Sequence, residues 1–461
     1  MLTRLRLHNF KAFENLSLDL RSITLILGPN NSGKSSIISP LRLLIQTMES
    51  YDLEVPLLLD GIMGDFGTYK DIVYGNHRAR PFSISLDFGL ENIRIPRMDS
   101  DRYPSLSDIQ LDLIFKYRTK RRELILKELR LTQDNQSLVR LDYSPDSERL
   151  LLTSLGTKII PPAAKSSISR SLQLNHFLPF ISFIALTDRR RNAEAAISEE
   201  DVSQIRRILP SVTNRIRHAF RNMEYIGAMR VPPSRTYLFT GEKRRRIGAT
   251  GENAASLIVM DAARSGRQKK RLKELTGDWL KRAGIAGSLD VVPLSERHYE
   301  LRISHPVTKE KQNISDVGYG NSQVIPVLVG GYNLEPGAIY LVEEPEIHLH
   351  PKAQAELGTF FFELYKRNVQ SIVETHSEYL ILRLQQFVAD KKISPNDIVF
   401  YYVNPSEDGS KAVSKLELDE TGKFINDWPH GFFPERLEEA KRLSQIRFKH
   451  LTENPAGSNA S

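Results

Sequence analysis

Residues 23–38 read I-T-L-I-L-G-P-N-N-S-G-K-S-S-I-I. The apolar run Ile23, Leu25, Ile26 and Leu27 has the character of a buried parallel strand, which breaks at Gly28 before a helical pattern begins after Gly33. Between them lies G-x-x-x-x-G-K-S, with Gly28, Gly33, Lys34 and Ser35 in register for a phosphate-binding loop. Glycines let successive backbone N–H groups turn inward as an anion nest, and the following helix presents its positive N-terminal end. Lys34 then reaches the β- and γ-phosphates, and the Ser35 hydroxyl is a ligand for Mg2+. A plain Gly-rich turn is the alternative, but the flanking strand and helix patterns are the context that the motif requires. The stretch predicts a nucleoside triphosphate site cradled by Gly28, Pro29, Asn30, Asn31, Ser32, Gly33, Lys34, Ser35 and Ser36.

A length of 461 residues leaves room for about two to four domains. Hydrophobic content of 40% and charged content of 26% fit a soluble globular chain. No apolar run is long enough for a membrane helix, and Met1–Phe10 has no signal-peptide core. The absence of cysteine excludes disulfides, thiolate metal sites and cysteine nucleophiles, and a cytoplasmic location is expected. The net charge of +8 permits contact with nucleic acid or an acidic protein.

Around the phosphate loop, Thr3–Leu7 and Leu16, Leu18 and Leu20 alternate with period two, predicting a hairpin. The helix after Gly33 carries Ile37, Leu41, Leu44, Ile45 and Met48 on one side. Residues 51–76 read as loop. Phe82–Phe88, Ile109–Lys116, Glu123–Leu131 and Leu138–Tyr143 predict an antiparallel sheet. Beyond Pro161 the character changes. Phe177–Leu186 and Val202–Met223 read as helices, the second bearing Arg206, Arg207, Arg215, Arg217 and Arg221, and basic clusters recur at Arg189–Arg191, Lys243–Arg246 and Arg267–Lys273. Charge runs usually form solvated faces, but their recurrence points to a functional basic surface that could meet nucleic acid. The last third alternates strands (Ile339–Val342, Gln370–Glu374, Ile398–Val403) with helices (Lys352–Tyr365, Tyr379–Ala389, Arg436–Phe448), the pattern of a helix-covered parallel sheet. The expected units are 1–160, a basic and mainly helical insertion at 161–290, 291–450, and a disordered tail at 451–461.

Hydrolysis needs carboxylates beside the phosphate loop. Ile339–Val342 delivers Glu343 and Glu344 at a strand's C-terminal end, where ligands of open α/β sheets bind. Strand alternation predicts that the two diverge, Glu343 toward Mg2+ and Glu344 toward the attacking water. His376, after the next strand, is placed to sense the γ-phosphate. Ser315–Gln323 opens another apolar helix with glycines and a hydroxyl, a second anion-binding pattern. One γ-phosphate does not need two such loops from one subunit, so this loop is expected to cap the nucleotide of a second copy, with Pro326 in or at the edge of the first helical turn.

Together, G-P-N-N-S-G-K-S, D-V-G-Y-G-N-S-Q, L-V-E-E-P-E-I-H-L-H-P and E-T-H-S resemble the ABC-type ATPase heads of the SMC/RecF/OLD superfamily, nearest to the stand-alone ATPases of antiphage systems such as Septu and PARIS. The resemblance covers about residues 1–115 and 225–440. It implies an α/β fold: a two-lobed head with a helix-covered parallel sheet, an antiparallel β lobe and a helical insertion. It further implies Gly28–Ser36 as Walker A and Glu343-Glu344 as Walker B, with Ser35 and Glu343 on the metal and Glu344 and His376 catalytic. Gly318–Gln323 stands as the signature loop, with Gly320, Ser322 and Gln323 touching nucleotide, and His348–Pro351 as the D-loop. ATP and Mg2+ are the implied cofactors, with a homodimer or higher homo-oligomer as the assembly. Walker B has Glu where many relatives have Asp, the signature is not L-S-G-G-Q, and no glutamine stands at a Q-loop position. Tyr225–Gly227 through Arg230–Pro233, and Trp428–Phe433, also resemble the family but have no evident chemical role.

No coiled-coil heptads occur, and no cluster of metal carboxylates follows His376, so no nuclease activity is expected. The reading is an ATP-driven sensor or scaffold for a separate toxin or nuclease effector. The alternatives are a RecF-like DNA-binding repair or replication ATPase, and a regulator that binds ATP but hardly hydrolyses it.

Overall fold

The computed structural model describes residues 1–89, 108–133, 136–155, 158–159, 172–181, 199–242, 244–266, 269–405, 411–426 and 441–446. At its centre is a six-stranded sheet in the order Met223–Ile226, Ile339–Glu343, Gln370–Glu374, Ile23–Leu27, Ile398–Pro405, Lys411–Leu416. The first five strands are parallel and the last is antiparallel. Side-chain alternation divides the interior in two. Ile339, Leu341, Ile372, Val399 and Tyr401 enter one core, while Tyr340, Val342, Val373, Ile398 and Phe400 enter the other. The first core also takes in the phosphate-loop helix Ser35–Met48 and the helix Glu199–Arg221. Against the opposite face pack Ala254–Ala262, Leu272–Ala283, Tyr319–Asn333, Pro351–Lys366 and Glu378–Ala389. A parallel sheet needs cover on both faces, and this sheet has it.

The first core continues into an eight-stranded antiparallel sheet, in which Leu2–Phe10 lies between Phe13–Asp19 and Phe82–Phe88. From Phe82–Phe88 to Lys158–Ile159 each described strand pairs with the next along the chain. Period-two burial is strict where the sequence alternates: Phe82, Ile84, Leu86 and Phe88 are buried, and so are Ile109, Leu111, Leu113 and Phe115. The fold is therefore mixed α/β, with a helix-covered parallel sheet and an antiparallel lobe, as expected.

Three expectations need correction. Over Phe177–Leu186, the described residues form a hairpin of Leu172–Asn175 with Leu178–Ile181, not a helix; 182–186 lie outside them. Phe177 and Leu178 are buried, and Phe177 meets the ring of Phe220 at 5.7 Å, so the apolar run packs on Glu199–Arg221 instead of making its own helix. Second, residues 161–290 are not one mainly helical insertion, because the apolar strand Met223–Ile226 is a full member of the central sheet. Third, Pro326 lies well inside the helix Tyr319–Asn333, where its ring packs at Gly251. The helix Arg436–Phe448 is seen only at 441–446, which is helical, and the tail falls outside the described residues. No helix among the described residues is long and apolar enough to cross a membrane.

Candidate nucleotide site

The chain leaves the sheet at Leu27 and at once needs glycine. Gly28 has φ of 142°, and a Cβ there would lie 2.3 Å from the Val403 carbonyl oxygen of the neighbouring strand. Asn31 and Gly33 also have positive φ, 60° and 105°. The loop wraps over the start of the helix Ser35–Met48, whose first N–H groups have no earlier helical carbonyl to bond. Lys34 is 4% exposed, and its ammonium donates to the Pro29 carbonyl at 2.8 Å. Burial lowers its pKa, against the pull of Glu374, Glu344 and Glu346. Ser32 is buried, and its hydroxyl has no partner. Asn30, Asn31, Gly33, Lys34, Ser35 and Ser36 line a cavity of about 720 Å³ together with Glu344, Glu374, Ala12 and Lys411.

Strand order supplies the acids. Gln370–Glu374 lies between the phosphate-loop strand and Ile339–Glu343, with Glu374 level with Glu343 on one side and with Ile26 on the other. Ser35 Oγ donates to Glu374 Oε1 at 3.1 Å, and Lys34 Nζ stands 3.9 Å from the same oxygen. Burial, and then Glu343, push the Glu374 carboxyl up to about 7, while its other oxygen is buried without a partner. Glu343 is also buried and its pKa raised, but it is engaged elsewhere: it accepts from Arg42 Nη1 at 3.3 Å and from Tyr225. It is not among the described cavity-lining residues. The carboxylate at the Ser35 hydroxyl is thus Glu374, not the expected Glu343. Glu374 was legible only as the last residue of an apolar strand, and its part depends on which strands are neighbours.

Glu343 and Glu344 do diverge, but not by strand alternation. The strand ends at Glu343, and Glu344 has φ of 44°, a left-handed turn that takes its side chain into the cavity. The Glu344 N–H donates to the Glu374 carbonyl at 2.8 Å, joining the two strand ends. Past Glu374, the backbone N–H of His376 donates to the buried carboxylate of Glu346. The His376 ring is solvent-exposed, and desolvation followed by Lys34 lowers its pKa.

The second anion-binding pattern lies elsewhere. A Cβ on Gly320 would come within 2.1 Å of the His348 carbonyl, so this loop packs on the His348–Pro351 turn, where His350 caps the helix Pro351–Lys366. Ser322 and Gln323 are buried, whereas Gly318 is exposed. None of Gly320, Ser322, Gln323 and His376 is among the described residues lining the cavity. The structure therefore brings together Lys34, Ser35, Glu344 and Glu374, and leaves the Gly318–Gln323 loop apart. It also adds Ala12 and Lys411, which carried no sequence signal.

Much of the basic surface is occupied within the chain. Arg246 pairs with Glu49 at 2.5 Å, Lys269 with Glu274 at 3.4 Å and Lys270 with Glu335 at 2.7 Å. Arg215 and Arg217 are half-buried, with pKa values lowered by desolvation. Arg189–Arg191 and the side chains of Arg206 and Arg207 lie outside the described parts.

A family model described as "AAA ATPase domain" matches residues 1–381, and one described as "Protein of unknown function (DUF3696)" matches residues 393–443. Comparison with curated proteins gives no match. Among solved structures, a SmcHead bound to the C-winged helix domain of ScpA is 11% identical, with 91% of this chain and 98% of that chain covered and a TM-score of 0.45. The SMC head domain from Thermotoga maritima is 12% identical, with coverage of 90% and 99% and a TM-score of 0.40. A Pyrococcus furiosus Smc head with an extended coiled coil, bound to the C-terminal domain of ScpA, is 12% identical, with coverage of 97% and 99% and a TM-score of 0.42.

Proposed function

Because this chain belongs to the AAA ATPase domain family, we propose that it binds Mg2+·ATP in the cavity at Lys34, hydrolyses it with Glu344, and does so between two chains. The observation that carries the reading is the meeting of Lys34, Ser35, Glu344 and Glu374 around one cavity. The donor set fits the ligand. Backbone N–H groups of the glycine-rich turn and Lys34 suit a triphosphate, while the unpartnered oxygen of Glu374 beside Ser35 suits a cation. Among the described residues no group of three or more His, Cys, Asp or Glu could hold a metal alone. This agrees with Mg2+ held by one or two side chains plus phosphate oxygens. When bound, Mg2+ neutralises charge developing on the phosphates. Ser35 and Glu374 are assigned to that ion, with Glu343 beside Glu374. Lys34 leaves the Pro29 carbonyl for phosphate, and Glu344 orients and deprotonates the attacking water.

Lys34→Ala should abolish ATP binding, and unchanged affinity would overturn the site. Glu344→Gln should keep ATP bound while slowing hydrolysis about 10²–10⁴-fold. Glu374→Gln should raise the Mg2+ concentration needed for half-maximal hydrolysis more than Glu343→Gln does. The reverse ranking would return the metal to Glu343.

That Gly320, Ser322 and Gln323 do not line the cavity of their own chain supports a site completed by a second copy. A contact that exists only with triphosphate is what lets ATP drive association. The biological setting rests on the resemblance to antiphage ATPases: a cytoplasmic sensor or scaffold governing a separate toxin or nuclease. Purifying the native complex in the ATP-bound Glu344→Gln form should recover such a subunit. Recovery of DNA instead, with affinity falling about 0.9 log units per phosphate contact per log unit of salt, would favour the RecF-like alternative.

A further inference from the structure

The segment Ile226–Pro233 leaves the sheet beside the turn that carries Glu344, since Met223–Ile226 pairs in parallel with Ile339–Val342. Met229 and Val231 are exposed, but Arg230 between them is 5% exposed and turned inward. Its Nη2 donates to the Glu343 carbonyl at 2.7 Å and to the Glu344 carbonyl at 3.1 Å. Those two carbonyls belong to the peptide groups on either side of the Glu344 Cα. One guanidinium nitrogen therefore fixes both planes that define the left-handed conformation of Glu344, a conformation that a non-glycine residue holds only where its surroundings enforce it.

We propose that Arg230 is the positioning residue of Glu344: it locks the catalytic turn so that the carboxylate stays aimed at the attacking water. This rests on reading Glu344 as the general base. A structural cation alone is a poor explanation. Arg230 Nε and Nη1 are buried without partners, and a buried cation with unmet donors stabilises a fold less than an apolar side chain of similar size would. Specificity of conformation is the gain such a group offers. The neighbouring Val231 N–H donates to the Thr250 carbonyl at 3.0 Å, which anchors the backbone from which Arg230 reaches.

A double-mutant cycle tests this in the full chain, with ATP affinity and single-turnover hydrolysis measured separately. Arg230→Met should leave the Kd for ATP within about threefold and slow hydrolysis about 10²-fold, the effect expected of a misplaced catalytic group. Arg230→Lys, which can still donate to a carbonyl, should recover part of that loss. In a Glu344→Gln background, Arg230→Met should slow hydrolysis no further, because both changes act through one group. Equal slowing in both backgrounds, parallel loss of ATP binding, or a normal rate for Arg230→Met would overturn the proposal. If Arg230→Met does not fold, Arg230→Lys is read through the same cycle with the same outcomes. Normal hydrolysis by Glu344→Gln alone would remove the general-base reading, and this proposal with it. Failure of the proposal alone leaves Glu344→Gln slow.

Discussion

Glu224 sits in the edge strand Met223–Ile226 with its side chain buried, one carboxyl oxygen unpartnered, and Arg246 and Glu49 as charged neighbours. Burial pushes its carboxyl up to about 8, against the opposing pull of Arg246. Between about pH 4.5 and pH 8 the folded chain holds a proton that the unfolded chain has released. Stability from this group therefore falls as pH rises, at about 1.4 kcal/mol per pH unit, and the loss is complete above about pH 8. Glu224→Gln keeps the shape and removes the titration. Its melting temperature relative to wild type should be higher at about pH 8.5 than at about pH 5.5; an unchanged difference would show that Glu224 is ionised throughout. Residues of this kind mark the limit of sequence reading at the smallest scale. Gly28, Gly33, Lys34 and Ser35 were legible because their chemistry is local to one turn. The roles of Glu374, Arg42, Arg230 and Lys411 depend on which strands adjoin, which no short window of sequence contains.

Among the elements, the strand Gln370–Glu374 serves both as a neighbour of the phosphate-loop strand and as the joint between the two sheets. The buried Gln370 amide accepts from the Leu2 N–H at 2.9 Å and donates to the Leu2 carbonyl at 2.7 Å and the Arg21 carbonyl at 3.0 Å. Gln370→Leu would leave the Leu2 N–H and carbonyl without these partners, at about 1–3 kcal/mol for each that water cannot reach, while the Arg21 carbonyl still accepts from the Thr24 hydroxyl. Chemical unfolding should show a loss of about 2–4 kcal/mol, and a loss below about 0.5 kcal/mol would mean that solvent already reaches the joint. Strand and helix types in this part followed from periodicity, because the last-third strands are short apolar runs and their helices have clear stripes. The hairpin at 172–181 was missed for the converse reason: a short apolar run of Phe177 and Leu178 reads equally as helix until the helix it packs against is known.

For the whole molecule, the separation of the phosphate cavity from the Gly318–Gln323 loop sets the next test. Ser322 is buried, so a bulky change there would disturb the core, whereas Gly318 is exposed with φ of −51°, open to any residue. Gly318→Arg should bind ATP but neither associate nor hydrolyse. Mixed in equal amounts with Lys34→Ala, it should restore up to about half of wild-type ATPase activity, since only mixed pairs can form and each holds one complete site of two. A mixture that stays inactive while mixed pairs form would rule out sharing between chains. The two-sheet architecture was readable from strand spacing; the place of Met223–Ile226 in the central sheet was not, because a four-residue apolar strand looks alike at an edge, in an insertion or in a core. The strand order has a further consequence, for the timing of synthesis. Leu2 and Gln370 bond across 368 residues, and Ile23–Leu27 is flanked only by strands from beyond residue 369. At roughly 5–20 residues per second, a ribosome needs about 20–75 s to bridge that interval. The antiparallel strands from Phe82 onward can pair with their neighbours as they emerge, but the phosphate loop must wait. A ligand that needs the finished phosphate loop therefore cannot guide early folding.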